Sequence, residues 1–255
     1  MQIMVNLKHI YLRFYEELND FLPANKRKIN FAYEFIDRTS IKDLIESLGV
    51  PHTEVDLILV NGKSVDFNYQ INDGDKVSVY PIFESFDIND VQHLRAKPLR
   101  EPKFVADNHL GKLASYMRMA GFDTLYADFE KKEIINTSLV EQRTILTRDI
   151  ELLKNKKVTH GYFVRSINPE EQLKEVIKRF NLENEIKEFS RCMVCNNILS
   201  PVSKEEVENK LPLKVKEFHN LFTICNLCGR IYWKGTHHNK MSEMLIEIKK
   251  ELREY

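Results

Sequence analysis

Four cysteines stand close together near one end of a 255-residue chain, at 192, 195, 225 and 228. The runs RCMVCN and ICNLCGR give the spacing C-x2-C-x29-C-x2-C. A Cys-x-x-Cys turn places two sulfurs on one side of a tight loop, and two such turns supply the corners of a tetrahedron. The spacing predicts a zinc ion held by Cys192, Cys195, Cys225 and Cys228. Four thiolates leave no open position for water, so the role is structural. Gly229 follows the last cysteine and permits the turn beneath the metal. His237 and His238 lie close by but would be surplus to a saturated ion. The competing assignment, two disulfides, is disfavoured in an intracellular chain.

Beside this unit runs GRIYWKGTHHNK. Arg230, Lys234 and Lys240 are interleaved with Tyr232 and Trp233, the one tryptophan of the chain. Cations alternating with aromatic rings suit phosphate contact and stacking on unpaired bases. The alternative is that Tyr232 and Trp233 pack the zinc knuckle.

A second chemistry is suggested by three aspartates. Asp107 closes the strand-like run KFVAD, and Asp149 closes RTILTRD. In a parallel β/α sheet ligands gather at the carboxyl ends of strands, so both should face one crevice. Asp123 follows a helix, at the start of the next strand. Clustered carboxylates repel unless a cation neutralises them, and hard oxygen ligands suit Mg2+ or Mn2+. Such an ion bridges phosphate oxygens and activates water. Lys112, Arg118 and Arg148 lie close enough in sequence to clamp phosphate. Each aspartate also has a local use: Asp107 and Asp149 as helix caps, Asp123 as a turn residue. Asp128 reads as a cap.

The elements that would position these groups fall into three units. Residues 1–86 read β-β-α-β-β-β, the order of a β-grasp. Ile10, Leu12 and Phe14 alternate, as do Phe31, Tyr33 and Phe35. Ser40 caps a helix striped by Ile41, Leu44, Ile45 and Leu48 and ended by Gly49. Asn61-Gly62 marks a hairpin. Residues 87–100 are polar and read as a linker. Residues 101–187 alternate strands with helices, which predicts a parallel sheet. Residues 188–255 hold the cysteine unit and an amphipathic tail helix. The expected class is therefore mixed α+β and α/β, multidomain.

Net charge is zero, but unevenly spread. Residues 1–86 carry 9 Lys and Arg against 13 Asp and Glu, a balance of −4, which leaves +4 on the remainder. An anionic partner is expected on the later part, and a basic protein surface could dock the first. No apolar run reaches the length of a membrane span, and the N-terminus lacks the features of a signal peptide, so a cytoplasmic protein is expected.

The runs FVADNHLGKLASYMRMAGFDTLY, RTILTRDIELL, EEQLKEV, RCMVCNNIL and ICNLCGRIYWKGTHH occur in order and together resemble the Mut-seven C-terminal RNase family. That resemblance spans about residues 102–240. It implies a PIN-like nuclease fold joined to a four-cysteine zinc ribbon, and a metal-dependent ribonuclease acting on RNA. It places Asp107, Asp123 and Asp149 at acidic positions of the site, with Lys112, Arg118 and Arg148 beside them and Gln172 as a polar neighbour. A typical PIN nuclease has four acidic residues, and the resemblance does not place the fourth, which leaves room for weak or absent catalysis. A non-catalytic RNA- or ribosome-binding adaptor is the alternative. Residues 1–86 resemble the ubiquitin-like domain that precedes this nuclease. They lack the terminal Gly-Gly of sulfur carriers, which disfavours sulfur transfer.

Overall fold

The computed structural model describes residues 7–81 and 102–253. The linker expected at 87–100 lies outside them, as do residues 1–6 and 82–86. The chain divides into two compact units, 1–101 with 147–163, and 102–146 with 164–255.

The first unit is a β-grasp. Strand β1 (Lys8–Phe14), β2 (Phe31–Phe35), helix α1 (Ile41–Ser47), β3 (Leu57–Val60), β4 (Lys63–Ser64) and β5 (Lys76–Tyr80) follow the expected order. Their sheet order is β2-β1-β5-β3-β4. β1 and β5 run parallel at its centre, and the other pairs are antiparallel. Alternation on β1 sends Ile10, Leu12 and Phe14 inward against Ile41, Leu44 and Ile45 of α1. The Ser40 side chain accepts the Asp43 amide and so caps that helix. Asn61 and Gly62 both take positive φ, 51° and 81°, as the tight β3–β4 hairpin requires. The same unit contains α4 (Ile150–Leu153) and β9 (Gly161–Phe163).

In the second unit β6 (Phe104–Ala106) lies between β7 (Thr124–Leu125) and β8 (Thr144–Thr147) and is parallel to both. Phe104, Val105 and Ala106 are all buried, as expected of a strand covered on both faces. Helices α2 (Gly111–Met119), α3 (Lys131–Glu141) and α5 (Pro169–Arg179) belong to this α/β part. Glu130, not Asp128, caps α3, in a reciprocal box with Glu133. Asp128 instead accepts from the Asn108 side chain at 3.0 Å.

A three-stranded antiparallel sheet follows: β10 (Leu199–Val202), β11 (Phe222–Cys225) and β12 (Ile231–Trp233), with β11 central. Between β10 and β11 sit two short helices, α6 (Lys204–Val207) and α7 (Leu213–Phe218), which periodicity does not reveal. The tail helix α8 begins at Thr236, earlier than its apolar pattern suggests, and runs to Arg253.

Gly121 ends α2 with φ +99°. The Phe122 amide returns to the Met117 carbonyl and the Gly121 amide to that of Arg118. This is a Schellman stop, which needs a left-handed residue at that position. A Cβ there would lie 2.5 Å from the Lys187 carbonyl oxygen. Gly121→Ala should therefore lower stability by about 3 kcal/mol, the sum of backbone strain and a clash with main chain. Urea denaturation of the full chain, followed by fluorescence, checks it.

Candidate functional site

The four cysteine sulfurs lie within 4.8 Å of one another. Across the two knuckles Cys192 faces Cys228 at 3.6 Å and Cys195 faces Cys225 at 3.3 Å. A tetrahedron with metal–sulfur bonds of about 2.3 Å has edges of about 3.8 Å, so the donor set fits a zinc ion. None of the four is in a disulfide. The two knuckles share one backbone device: the Asn196 amide bonds the Cys192 carbonyl, and the Gly229 amide bonds the Cys225 carbonyl. Asn196 and Gly229 both turn left-handed, with φ 70° and 71°. The Tyr232 hydroxyl lies 3.1 Å from the Cys192 sulfur. Burial pushes that thiol up, but hydrogen bonds from Tyr232 and from the knuckle backbone outweigh it and bring its pKa down to about 6. Among the described residues the cluster holds the four cysteines and no histidine, and His238 stacks on Phe189 at 3.9 Å.

The first knuckle is tied into the parallel sheet by side chains that the sequence suggested for catalysis. Arg118 is buried, and its Nε donates to the Thr124 carbonyl at 2.7 Å. Its Nη1 donates to the carbonyls of Met193 and Val194, inside the first Cys-x-x-Cys turn, at 3.2 and 2.7 Å. Burial lowers the Arg118 pKa, and the Cys192 and Cys195 thiols beside it oppose the shift. Asp123 is equally committed. Its Oδ1 accepts from Arg143 at 2.6 Å and from the Asn196 side-chain amide at 2.7 Å. Arg191 lies 3.8 Å from its other oxygen. Asn196 completes the seam by accepting the Thr124 amide at 3.0 Å. Arg118 and Asp123, expected as a phosphate clamp and a metal ligand, thus both make contacts in the knuckle–sheet seam. Asn196, Arg143 and Arg191 were not anticipated. The one available signal is the asparagine standing where the second knuckle has glycine.

The remaining expected residues are placed as follows. Asp107 immediately follows β6, is 8% exposed, and makes no capping hydrogen bond to the turn after it. Its amide donates to the Leu146 carbonyl on β8. Asp149 does cap α4: its Oδ1 accepts the Glu151 and Leu152 amides at 2.9 and 3.4 Å. Lys112 is exposed on α2 with its ammonium over the Tyr116 ring. Arg148 is half-buried. Gln172 is buried and donates to the Ser166 carbonyl. Arg230 and Lys234 are exposed. Trp233 packs against Val207, Leu211 and Phe222, and the Tyr232 hydroxyl meets the Cys192 sulfur of the knuckle. Among the described residues the cysteines alone bring three or more ligand groups together, and the three aspartates do not.

A β-grasp unit is thus followed by a parallel α/β sheet with a four-thiol ribbon. The Mut7-C RNAse domain model matches residues 102–245, and the Mut7-C ubiquitin model matches residues 7–87. The chain belongs to the Mut7-C RNAse family. Searches of curated proteins and of solved structures returned no match. Among the described residues no helix is long and apolar enough to cross a membrane.

Two outcomes follow from the seam. Asn196→Gly keeps the left-handed turn but strips the Thr124 amide and Asp123 of a partner. It should cost about 2 kcal/mol, the penalty of an unsatisfied buried donor. Asn196→Ala adds backbone strain and should cost about 1 kcal/mol more; equilibrium denaturation of both variants measures the difference. For Asp123, burial raises the pKa, but hydrogen bonds from Arg143 and Asn196 prevail and lower it below the usual 3.8. A depressed folded-state pKa means stability present above that usual value and lost as pH falls through the folded one. Asp123→Asn should therefore be less stable at pH 7 and lose less on acidification from pH 5 to 3 than the wild type, as read by urea midpoints.

Proposed function

We propose that the chain is a divalent-metal-dependent ribonuclease that hydrolyses RNA phosphodiester bonds, stapled by a structural zinc at its four cysteines. The observation that carries the reading is the placement of Asp107. A buried carboxyl group ends the central parallel strand and is not spent on capping the turn that follows it. Ala106 is in register with Leu146, and Asp149 stands three residues beyond that partner. Strand carboxyl ends are where α/β sheets collect ligands.

Asp107 and Asp149 are the residues that would hold Mg2+ or Mn2+. When bound, such an ion supplies charge neutralisation at the phosphate and a water of lowered pKa. Exposed Lys112, and Arg148 next to Asp149, draw the phosphate toward the strand ends. Arg230 and Lys234, exposed on the ribbon, hold the RNA backbone by charge rather than by stacking. Four thiolates around Zn2+ leave a dianionic centre, and the buried Arg118 guanidinium offsets part of it. The domain limits that suit this reading are 1–86, a linker over 87–100, 101–187 for the nuclease and 188–255 for the ribbon.

A second reading, an RNA- or ribosome-binding adaptor without catalysis, has a specific motive. Asp123 is taken by Arg143 and one Asp149 oxygen by backbone amides, which leaves a sparse acidic set. Purified full-length protein with Mn2+ should cleave single-stranded RNA, and Asp107→Asn should lower the rate at least about a thousandfold, the scale of losing a key electrostatic catalyst. EDTA should stop cleavage while the cysteine-bound metal stays, as elemental analysis reports. Salt-sensitive RNA binding in EDTA with no cleavage under any divalent ion would instead select the adaptor.

A further inference from the structure

The solvent face of the β-grasp sheet is chemically unlike the segment that carries it. Residues 1–86 hold a balance of −4. Alternation on β1 and β5 buries Ile10, Leu12, Val77 and Val79 and turns Tyr11, Arg13, Lys76 and Ser78 to the other side. With Tyr15 and Asn30 these outward residues line a cleft of about 380 Å³. Its lining has two cations and no acid.

Register fixes the order of the groups. Tyr11 stands opposite Ala32 on β2 and opposite Lys76 on β5, and Arg13 stands opposite Ser78. Ala32 offers only a methyl group on its side, and Tyr11 is 49% exposed. Among the described residues no ring stacks on Tyr11. Tyr15, by contrast, is engaged. Its ring stacks on Tyr80 with centroids 4.2 Å apart, and the Arg13 guanidinium lies 5.0 Å from its centre. That contact places the guanidinium without using its N–H donors. Among the described residues neither Arg13 nor Lys76 has an acid partner. Glu34, the acid on β2, lies 3.3 Å from His9 instead.

Two unneutralised cations side by side favour an anion, and a guanidinium held in place suits a phosphate. An open aromatic ring beside them suits a planar base. An acidic peptide would meet the cations and leave the ring idle. We propose that this face is a nucleotide-binding site: Tyr11 stacks on the base, Arg13 and Lys76 hold the phosphate, and Asn30 meets the sugar or base edge. A free nucleoside monophosphate and one residue of single-stranded RNA present the same chemistry. The site lies within the β-grasp alone and does not rest on the ribonuclease reading.

The test uses full-length, 15N-labelled protein in EDTA, which keeps RNA uncleaved. The probes are AMP and a ten-residue oligoadenylate, and the readouts are amide shifts and affinity. One probe or both should shift amides of β1 and β5. A response to AMP assigns the site to free nucleotide, and a response to the oligonucleotide alone assigns it to RNA. Tyr11→Ala and Arg13→Ala should each weaken that response about tenfold. Tyr11→Phe keeps the ring and should bind like the wild type. If Arg13→Ala does not fold, Lys76→Ala carries the phosphate expectation. No shift in β1 and β5 with either probe overturns the site. So does wild-type affinity in Tyr11→Ala, or poly-glutamate binding as tightly as the oligonucleotide. Cleavage in Mn2+ is assayed separately, so failure here leaves the ribonuclease reading intact.

Discussion

The second unit depends on a single carboxylate that is neutralised from several sides. Asp123 stands just before β7, and its oxygens meet Arg143, the Asn196 amide and, at longer range, Arg191. These are partly buried charges, and their worth lies less in attraction gained than in what is left if one is removed. An Arg143 guanidinium without Asp123 would be a buried cation left with only the more exposed Glu141 as its acid. The same seam includes Arg118, whose donors reach the carbonyls inside the first Cys-x-x-Cys turn. A knuckle bonded in this way cannot be an appended module. A metal held by its cysteines would also hold β7 and the end of α2, and would link folding of the sheet to occupancy of the ribbon.

The three aspartates that invited a catalytic reading show how far residue type underdetermines role. Asp107 leaves a buried strand and does not cap the next turn. Asp149 gives one oxygen to amides of α4. Asp123 is an ion-pair partner. Their spacing in the chain could not separate these fates, because each depends on what stands opposite. For Asp123 the deciding partners, Arg143 and Asn196, are 20 and 73 residues away.

What was legible was whatever local chemistry dictates. The β-grasp order, the Ser40 cap, the Asn61-Gly62 hairpin and the glycine stop at Gly121 each follow from φ preferences, capping groups or apolar period within a few residues. The four-thiol site was legible because its spacing is itself the geometry. The seam was not, since Arg118 on an otherwise apolar helix face looks the same whether it meets phosphate or a carbonyl. Tyr232 and Trp233 were ambiguous for a related reason. Aromatic rings beside cations suit RNA, but a small ribbon with few apolar residues also needs rings, and here Trp233 packs on its core while Tyr232 bonds the knuckle sulfur.

Sparse acidic ligands and extensive scaffolding belong together. A site with many carboxylates can recruit a cation by charge alone and tolerate loose placement. In the proposed site an ion would meet two carboxylates, one of them sharing an oxygen with a helix end, and would need ligands already in position, since little binding energy would remain to order them. The burial of β6 on both faces supplies that rigidity for Asp107. On that reading rigidity at a strand end would substitute for a further carboxylate, whereas a further carboxylate on a loose loop could not substitute for rigidity.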